Sequence, residues 1–165
     1  SMKKIIISLF IGLVILFIYI ASYRVSVTPE EMVVQYKERW DVELPVPNEI
    51  IDAWSTKYPA RGDGEWVTEL RYDRDVNPEQ LHDFVIVTEE NLTAANRLVS
   101  GFINRVESMY KIQQDEAFKN AIAAYSTKLK PDDYYFHRSE NGDFDTFTAI
   151  YQAEENRILL FEWHQ

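Results

Sequence analysis

The chain has 165 residues, with 17 basic and 27 acidic side chains and no cysteine. The acidic balance excludes the basic footprint that nucleic-acid binding requires. The absence of cysteine excludes a disulfide framework, so the hydrophobic core alone must stabilise the fold. Aromatic residues make up 14% of the chain and supply the apolar area that such a core needs.

The first feature along the chain is an uncharged apolar stretch, residues 5–21, which reads IIISLFIGLVILFIYIA. A membrane-spanning helix needs about 20 predominantly apolar residues, and residues 5–23 provide such a length. A cleaved secretory signal is the alternative, but the run exceeds the roughly 7–15 apolar residues typical of a signal. We therefore predict a transmembrane anchor over residues 5–23.

The charges that flank this stretch predict its orientation. Lys3 and Lys4 precede it and only Arg24 closely follows, so the positive-inside rule places residues 1–4 in the cytoplasm. Ser1 stands before Met2, and we expect it to derive from expression cloning. The predicted topology is a single-pass protein of the cytoplasmic membrane, with residues 24–165 on the extracellular or periplasmic side.

The exported part has the usual size of one domain and is strongly acidic. Without Lys3, Lys4 and Arg24, residues 25–165 carry 14 basic and 27 acidic residues, a formal charge of −13. Such a charge disfavours close contact with an anionic membrane surface and suits a basic protein partner. The alternative is a solvated acidic surface without a partner.

The patterns in the first half of this domain predict two helices and two strands. Thr28, Pro29 and Glu31 form a capping box that begins a helix ending near Trp40. A second short helix is predicted from Asn48, with Ile50, Ile51 and Trp54 on one face. Residues 66–72 alternate as a half-buried strand, and residues 84–88 predict a second strand that is apolar on both faces and hence central.

The second half of the domain predicts two helices followed by three strands. A helical stripe runs over residues 92–110, and a further helix over residues 115–130 ends at Pro131. Asn141-Gly142 predicts a hairpin turn, and residues 157–163 are apolar enough on both faces to lie inside a sheet. We predict an α+β domain with an antiparallel sheet of about five strands, helices on one face and a partly exposed docking surface on the other.

No constellation of residues predicts catalysis or a cofactor. His82, His137 and His164 lack the spacing of metal ligands, and no nucleophile elbow is present. Residues 140–145 place Asp143 and Asp145 as in a calcium loop, but the following Gly and Glu are missing. The sequence therefore predicts no enzyme, no cofactor and no metal site.

The residues that favour partner binding surround the predicted hairpin, where aromatic rings and carboxylates lie close in sequence. Aromatic residues commonly anchor interfaces, and carboxylates select a basic partner. The alternative is that the aromatic residues there belong partly to the core. The predicted partner-binding residues are Asp132, Asp133, Tyr134, Tyr135, Asp143 and Asp145.

The layout of a short inner end, one anchor and one small acidic domain resembles that of membrane-tethered immunity proteins. The resemblance implies a domain that neutralises a toxin acting outside the cytoplasm, and it transfers no site residue. A structural or accessory subunit of a bacterial envelope complex, in secretion or cell-wall assembly, is the alternative function.

Overall fold

A computed structural model describes residues 27–56, 63–110 and 116–165, which build a six-stranded antiparallel sheet and three α-helices. This architecture confirms the predicted α+β class, and the sheet has one strand more than expected. Short 3-10 turns cover Pro78–Leu81 and Asn141–Asp143. The elements in chain order are α1 (Pro29–Trp40), β1 (Glu49–Ser55), β2 (Gly64–Arg71), β3 (Val85–Ile86), α2 (Leu92–Tyr110), α3 (Glu116–Ala123), β4 (Tyr134–Glu140), β5 (Asp145–Gln152) and β6 (Arg157–His164).

The strands lie in the order β1-β2-β6-β5-β4-β3, and every neighbouring pair is antiparallel. β6 occupies the middle of the sheet, between β2 and β5, as the apolar residues on both of its faces predict. The two edges are β1 and the two-residue strand β3. The hairpin predicted at Asn141-Gly142 joins β4 and β5, and Gly142 has φ 66°, a conformation that glycine adopts readily.

Helix α1 begins as its sequence predicts. The Thr28 hydroxyl accepts a hydrogen bond from the Glu31 amide (3.2 Å), and the Glu31 carboxylate accepts one from the Thr28 amide (2.9 Å). This reciprocal capping box satisfies two amide groups that a helix start leaves without partners. The helix ends at Asp41, whose φ of 50° turns the chain out of the helix.

Helices cover both faces of the sheet, so the prediction that they pack on one face is wrong. One face is covered by α1, by the loop before β1 and by the loop after β2, and these together bury Ile158 and Leu160 of β6. On the other face α2 and α3 bury Leu159, Phe161 and Trp163 of the same strand. Because successive side chains point to opposite faces, an apolar central strand needs a cover on each side. The predicted exposed docking face is therefore absent from the described part of the domain.

The predicted second helix is strand β1, and a β-bulge explains the difference. The register with β2 shifts between Asp52 and Trp54, which leaves Ala53 as the extra residue. Ile50 consequently contacts the core under α1, whereas Trp54 contacts the core under α2 and α3. The bulge breaks the period-two alternation, and the remaining spacing of apolar residues imitates a helix.

Two further elements differ from their predicted extents. The strand predicted over residues 84–88 is the short edge strand β3, because only the flanking Phe84 and Val87 are buried. Helix α3 ends at Ala123, since the following segment uses the carbonyls of Ser126 and Lys128 to accept hydrogen bonds from Gln152. The chain there extends along the sheet instead of continuing the helix.

The predicted anchor over residues 5–23 lies outside the described residues. Among the helices of residues 27–56, 63–110 and 116–165, none combines the length and the apolar character needed to cross a bilayer.

Candidate functional site

The outer edge of β4 is partly free of a strand partner among the described residues. All seven residues of β4 pair with β5, but only Tyr134 and Tyr135 also pair with β3. Residues 136–140 therefore have no partner strand on their outer side among the residues that the structure describes. The Val87 amide donates a hydrogen bond to the Asp133 carbonyl (2.7 Å), so the backbone of Asp133 faces the outer side of the sheet. The backbone groups of every second residue in a strand point to the same side, and those of His137 and Ser139 therefore also point outward. We call residues 136–140 the β4 edge.

Exposed apolar side chains flank the β4 edge. The exposed fractions are 48% for Val85, 43% for Ile86 and 58% for Phe144, which are high values for side chains of this type. Such residues beside unpaired backbone groups are characteristic of sites where another strand adds to a sheet. The opposite edge differs, because β1 carries a bulge and the exposed acids Glu49 and Asp52, which discourage strand addition.

Two of the predicted partner-binding carboxylates are buried and bind within the domain. Asp133 is 6% exposed and accepts hydrogen bonds from the amides of Lys130 (2.8 Å) and Ala153 (3.0 Å). Asp145 is 5% exposed and accepts from the Gln165 amide (3.2 Å) and from the Asn141 side-chain amide. Each carboxylate fixes one end of the β4–β5 hairpin.

The other predicted residues lie along the same hairpin without forming one cluster. Asp132 and Asp143 are exposed at opposite ends of β4, and a strand of this length separates them by roughly 20 Å. Both have a positive φ, 73° and 70°. Tyr134 and Tyr135 are half-buried and contact the cores on opposite faces of the sheet. Two exposed carboxylates therefore frame the β4 edge.

The Asp133→Asn variant tests the structural role of this carboxyl group by its pH dependence. Burial raises the pKa of Asp133 above its ordinary value, although the two amide donors oppose the shift. The folded state then binds a proton more readily than the unfolded state. The contribution of Asp133 to stability is therefore complete below the unfolded pKa of about 3.9 and is lost as pH rises through the folded pKa.

We expect the stability of Asp133→Asn, relative to the unchanged protein, to improve as pH rises through this window, since Asn cannot ionise. Unfolding by urea at a series of pH values between roughly 3 and 7 measures the difference. A constant difference across the series would contradict the assignment. Asp132→Asn, which changes an exposed neighbour, is the matched control.

A second cluster of titratable groups, which the sequence did not predict, lies between α1 and the end of β6. The Nδ1 atom of His164 lies 3.2 Å from the Arg39 guanidinium and 3.6 Å from Asp145, and its Nε2 atom lies 3.5 Å from Glu162. Glu162 also accepts hydrogen bonds from the Tyr36 hydroxyl (2.8 Å) and the Trp40 indole (3.2 Å). Burial, followed by the nearby Glu162, raises the pKa of Tyr36 far above its ordinary value.

Both ring nitrogens of His164 thus contact groups of this domain, and its ring packs against Trp40 and Trp66 at centroid distances of 5.4 and 5.3 Å. These contacts tie the C-terminal strand to α1. In the sequence, Glu162 and His164 are two residues apart and so lie on the same face of β6. This spacing indicates a cluster only when the position of α1 against that face is known. Among the described residues no group of three or more His, Asp or Glu side chains has the geometry of a metal site.

No protein-family model matches the chain, and comparisons with curated proteins and with solved structures give no match. The fold and the exposed chemistry of the domain are therefore the basis for proposing a function.

Proposed function

We propose that the chain is a membrane-anchored, extracytoplasmic protein-binding domain that acts as an immunity protein, neutralising a toxin outside the cytoplasm. The observation that carries the proposal is the β4 edge. There β4 is fully paired with β5 on its inner side. On its outer side, the backbone groups of His137 and Ser139 have no strand partner among the described residues. An extended segment of the toxin adds to the sheet at this edge.

The cover on both sheet faces supports this mode of binding. Since α1 lies on one face and α2 with α3 on the other, neither face is free to receive a partner. Strand addition gains affinity from main-chain hydrogen bonds and gains specificity from side chains on alternate positions. Val85, Ile86 and Phe144 supply exposed apolar contacts on either side of the added strand.

The charges around the β4 edge favour a basic partner. Asp132 and Asp143 stand exposed at the two ends of β4, within a domain whose formal charge is −13 from 14 basic and 27 acidic residues. Opposite charges accelerate the encounter of two proteins and disfavour partners of the wrong charge. A toxin with a cationic surface, such as one that acts on anionic envelope polymers, fits this requirement.

The Ser139→Pro variant tests the proposal, because proline removes the outward N–H and places a ring on the edge. Proline is tolerated on an edge strand when its missing N–H faced solvent, so the pairing of Ser139 with Thr146 is kept. We expect binding to the partner to weaken at least tenfold, equivalent to about 1.4 kcal/mol. Ser139→Ala is the matched control, since it also loses the hydroxyl bond to Asp143 (2.6 Å) but keeps the N–H.

The experiment co-expresses the full chain with the product of the neighbouring gene and measures both the complex and the growth of the host. A stable complex and rescued growth, both reduced in Ser139→Pro and retained in Ser139→Ala, are expected. Wild-type affinity of Ser139→Pro would refute binding at the β4 edge. Co-purification with integral membrane proteins, without any rescue, would instead indicate the accessory subunit of an envelope complex.

A further inference from the structure

An open groove lies between the first half of α2 and the segment that follows α3, on the sheet face opposite α1. Its volume of about 570 Å³ falls within the range of small-ligand sites. Three kinds of side chain line it: apolar, hydroxyl or amide, and cationic. They are Leu92, Val99 and Ile103; Thr93, Asn96, Ser100 and Thr127; and Arg97 and Lys128.

Hydrogen bonds from one side chain fix the two walls of the groove. The Asn96 side chain accepts from the Leu129 amide (2.8 Å) and donates to the carbonyls of Leu129 (3.2 Å) and Leu92 (3.1 Å). Leu129 is itself 3% exposed, so this segment is held against α2 by burial as well. The groove is therefore formed before any ligand arrives.

The charges of this layer are opposite to those of the rest of the domain. Residues 92–110 and 116–131, which form this layer, contain five basic and two acidic residues, a formal charge of +3. Residues 25–91 and 132–165 together contain eight basic and 24 acidic residues, a charge of −16. The acidic character predicted for the whole exported domain is thus confined to the part outside this layer.

Arg97 and Lys128 are exposed, and neither forms an ion pair with any of the described residues. Most other described cations do form such pairs, as expected where acids outnumber bases so strongly. No carboxylate is among the residues that line the groove. The paired cations are Lys37, Arg39, Arg71, Lys119, Lys130, Arg138 and Arg157.

We infer that this groove binds a membrane lipid whose head group is a phosphate monoester. Arg97 and Lys128 hold the phosphate, and its hydrocarbon chain lies against Leu92 and Ile103. Guanidinium and ammonium groups together with neighbouring hydroxyls offer more donors than a single carboxylate accepts, whereas a phosphate has three free oxygens and up to two charges. The apolar wall beside these donors favours an amphiphilic phosphate over inorganic phosphate.

Native mass spectrometry of the full chain, released from a neutral maltoside detergent, tests the inference. We expect the chain to bind one more molecule of phosphatidic acid than of phosphatidylcholine. The double variant Arg97→Gln/Lys128→Gln is expected to bind this additional lipid at least tenfold more weakly. The double variant Arg74→Gln/Lys119→Gln removes the same charge outside the groove and is expected to bind as the unchanged protein. Equal unfolding midpoints of the two double variants exclude a folding defect.

Each other outcome overturns the inference. Equal addition of the two lipids, or equal loss in both double variants, would assign the bound lipid to another part of the chain or to net charge. Equal competition by dodecanoate would show a site for carboxylate amphiphiles, and equal competition by inorganic phosphate would show that the apolar wall adds nothing. The test is independent of the β4 edge, because none of these four residues lies on it.

Discussion

The Trp40→Ala variant is expected to lower the free energy of unfolding by about 4 kcal/mol, as large-to-small changes of buried aromatic residues do. Trp40 is the last residue of α1 and is 0% exposed. Its ring stacks on Phe147 of β5 with centroids 5.4 Å apart, and its indole donates to Glu162 of β6 (3.2 Å). Removing the ring leaves a cavity between α1 and two central strands.

Urea unfolding of the full chain in neutral detergent, followed by near-ultraviolet circular dichroism, measures this loss. Trp40→Phe keeps most of the apolar contact but loses the indole donor, so we expect it to lie between Trp40→Ala and the unchanged protein. Glu38→Ala changes an exposed position of the same helix and should shift stability by no more than about 0.5 kcal/mol. Equal stability of Trp40→Ala and Glu38→Ala would show that α1 is not docked as described.

The elements whose residues determine their own structure were predictable from the sequence. The capping box at Thr28 and Glu31, the Asn141-Gly142 turn and the doubly apolar strand β6 each depend on local chemistry or on a simple period. Their predicted positions agree with the structure within a few residues. The α+β class follows from their order along the chain.

Elements whose structure depends on distant partners were not predictable. The bulge at Ala53 exists only because β1 pairs with β2, and it hides the strand pattern of its own residues. β3 pairs with β4 over only two residues, Val85 and Ile86, which leaves the β4 edge without a strand partner on its outer side among the described residues. Neither effect leaves a signal in a short window of sequence.

The candidate site was predictable only in its location. The sequence indicates the β4–β5 hairpin, but it does not distinguish exposed carboxylates, Asp132 and Asp143, from the buried Asp133 and Asp145. That difference arises because the Lys130, Ala153 and Gln165 amides point at the buried pair. Short polar side chains near turns often form hydrogen bonds with nearby backbone groups, and a count of charged residues does not reveal this.

The Glu69→Ala variant is expected to lower the free energy of unfolding by about 3 kcal/mol, because it removes one partner of a buried charge network. The Glu69 side chain is 3% exposed, on the face of β2 that α2 and α3 cover. Its carboxylate accepts from the Tyr125 hydroxyl (2.8 Å) and the Arg71 guanidinium (3.0 Å), and it lies 3.9 Å from the Arg157 guanidinium. Without it, Arg157, whose side chain is 13% exposed, lacks its carboxylate.

Glu69→Gln and Glu49→Ala separate the causes of this loss. Glu69→Gln keeps the side-chain volume and one acceptor for the Tyr125 hydroxyl, so we expect it to lower the free energy of unfolding less than Glu69→Ala does. In the unchanged protein, burial and the hydrogen bond to Glu69 raise the pKa of Tyr125 to about 12. Glu49 also contacts Arg71 (3.3 Å) but is 58% exposed, and Glu49→Ala should therefore cost no more than about 1 kcal/mol. Urea unfolding measures all three variants, and an equal loss in Glu69→Ala and Glu49→Ala would show that the position of Glu69 in the core contributes nothing. The expected difference between them arises because solvent screens the contact of Arg71 with the exposed Glu49 more strongly than its contact with the buried Glu69.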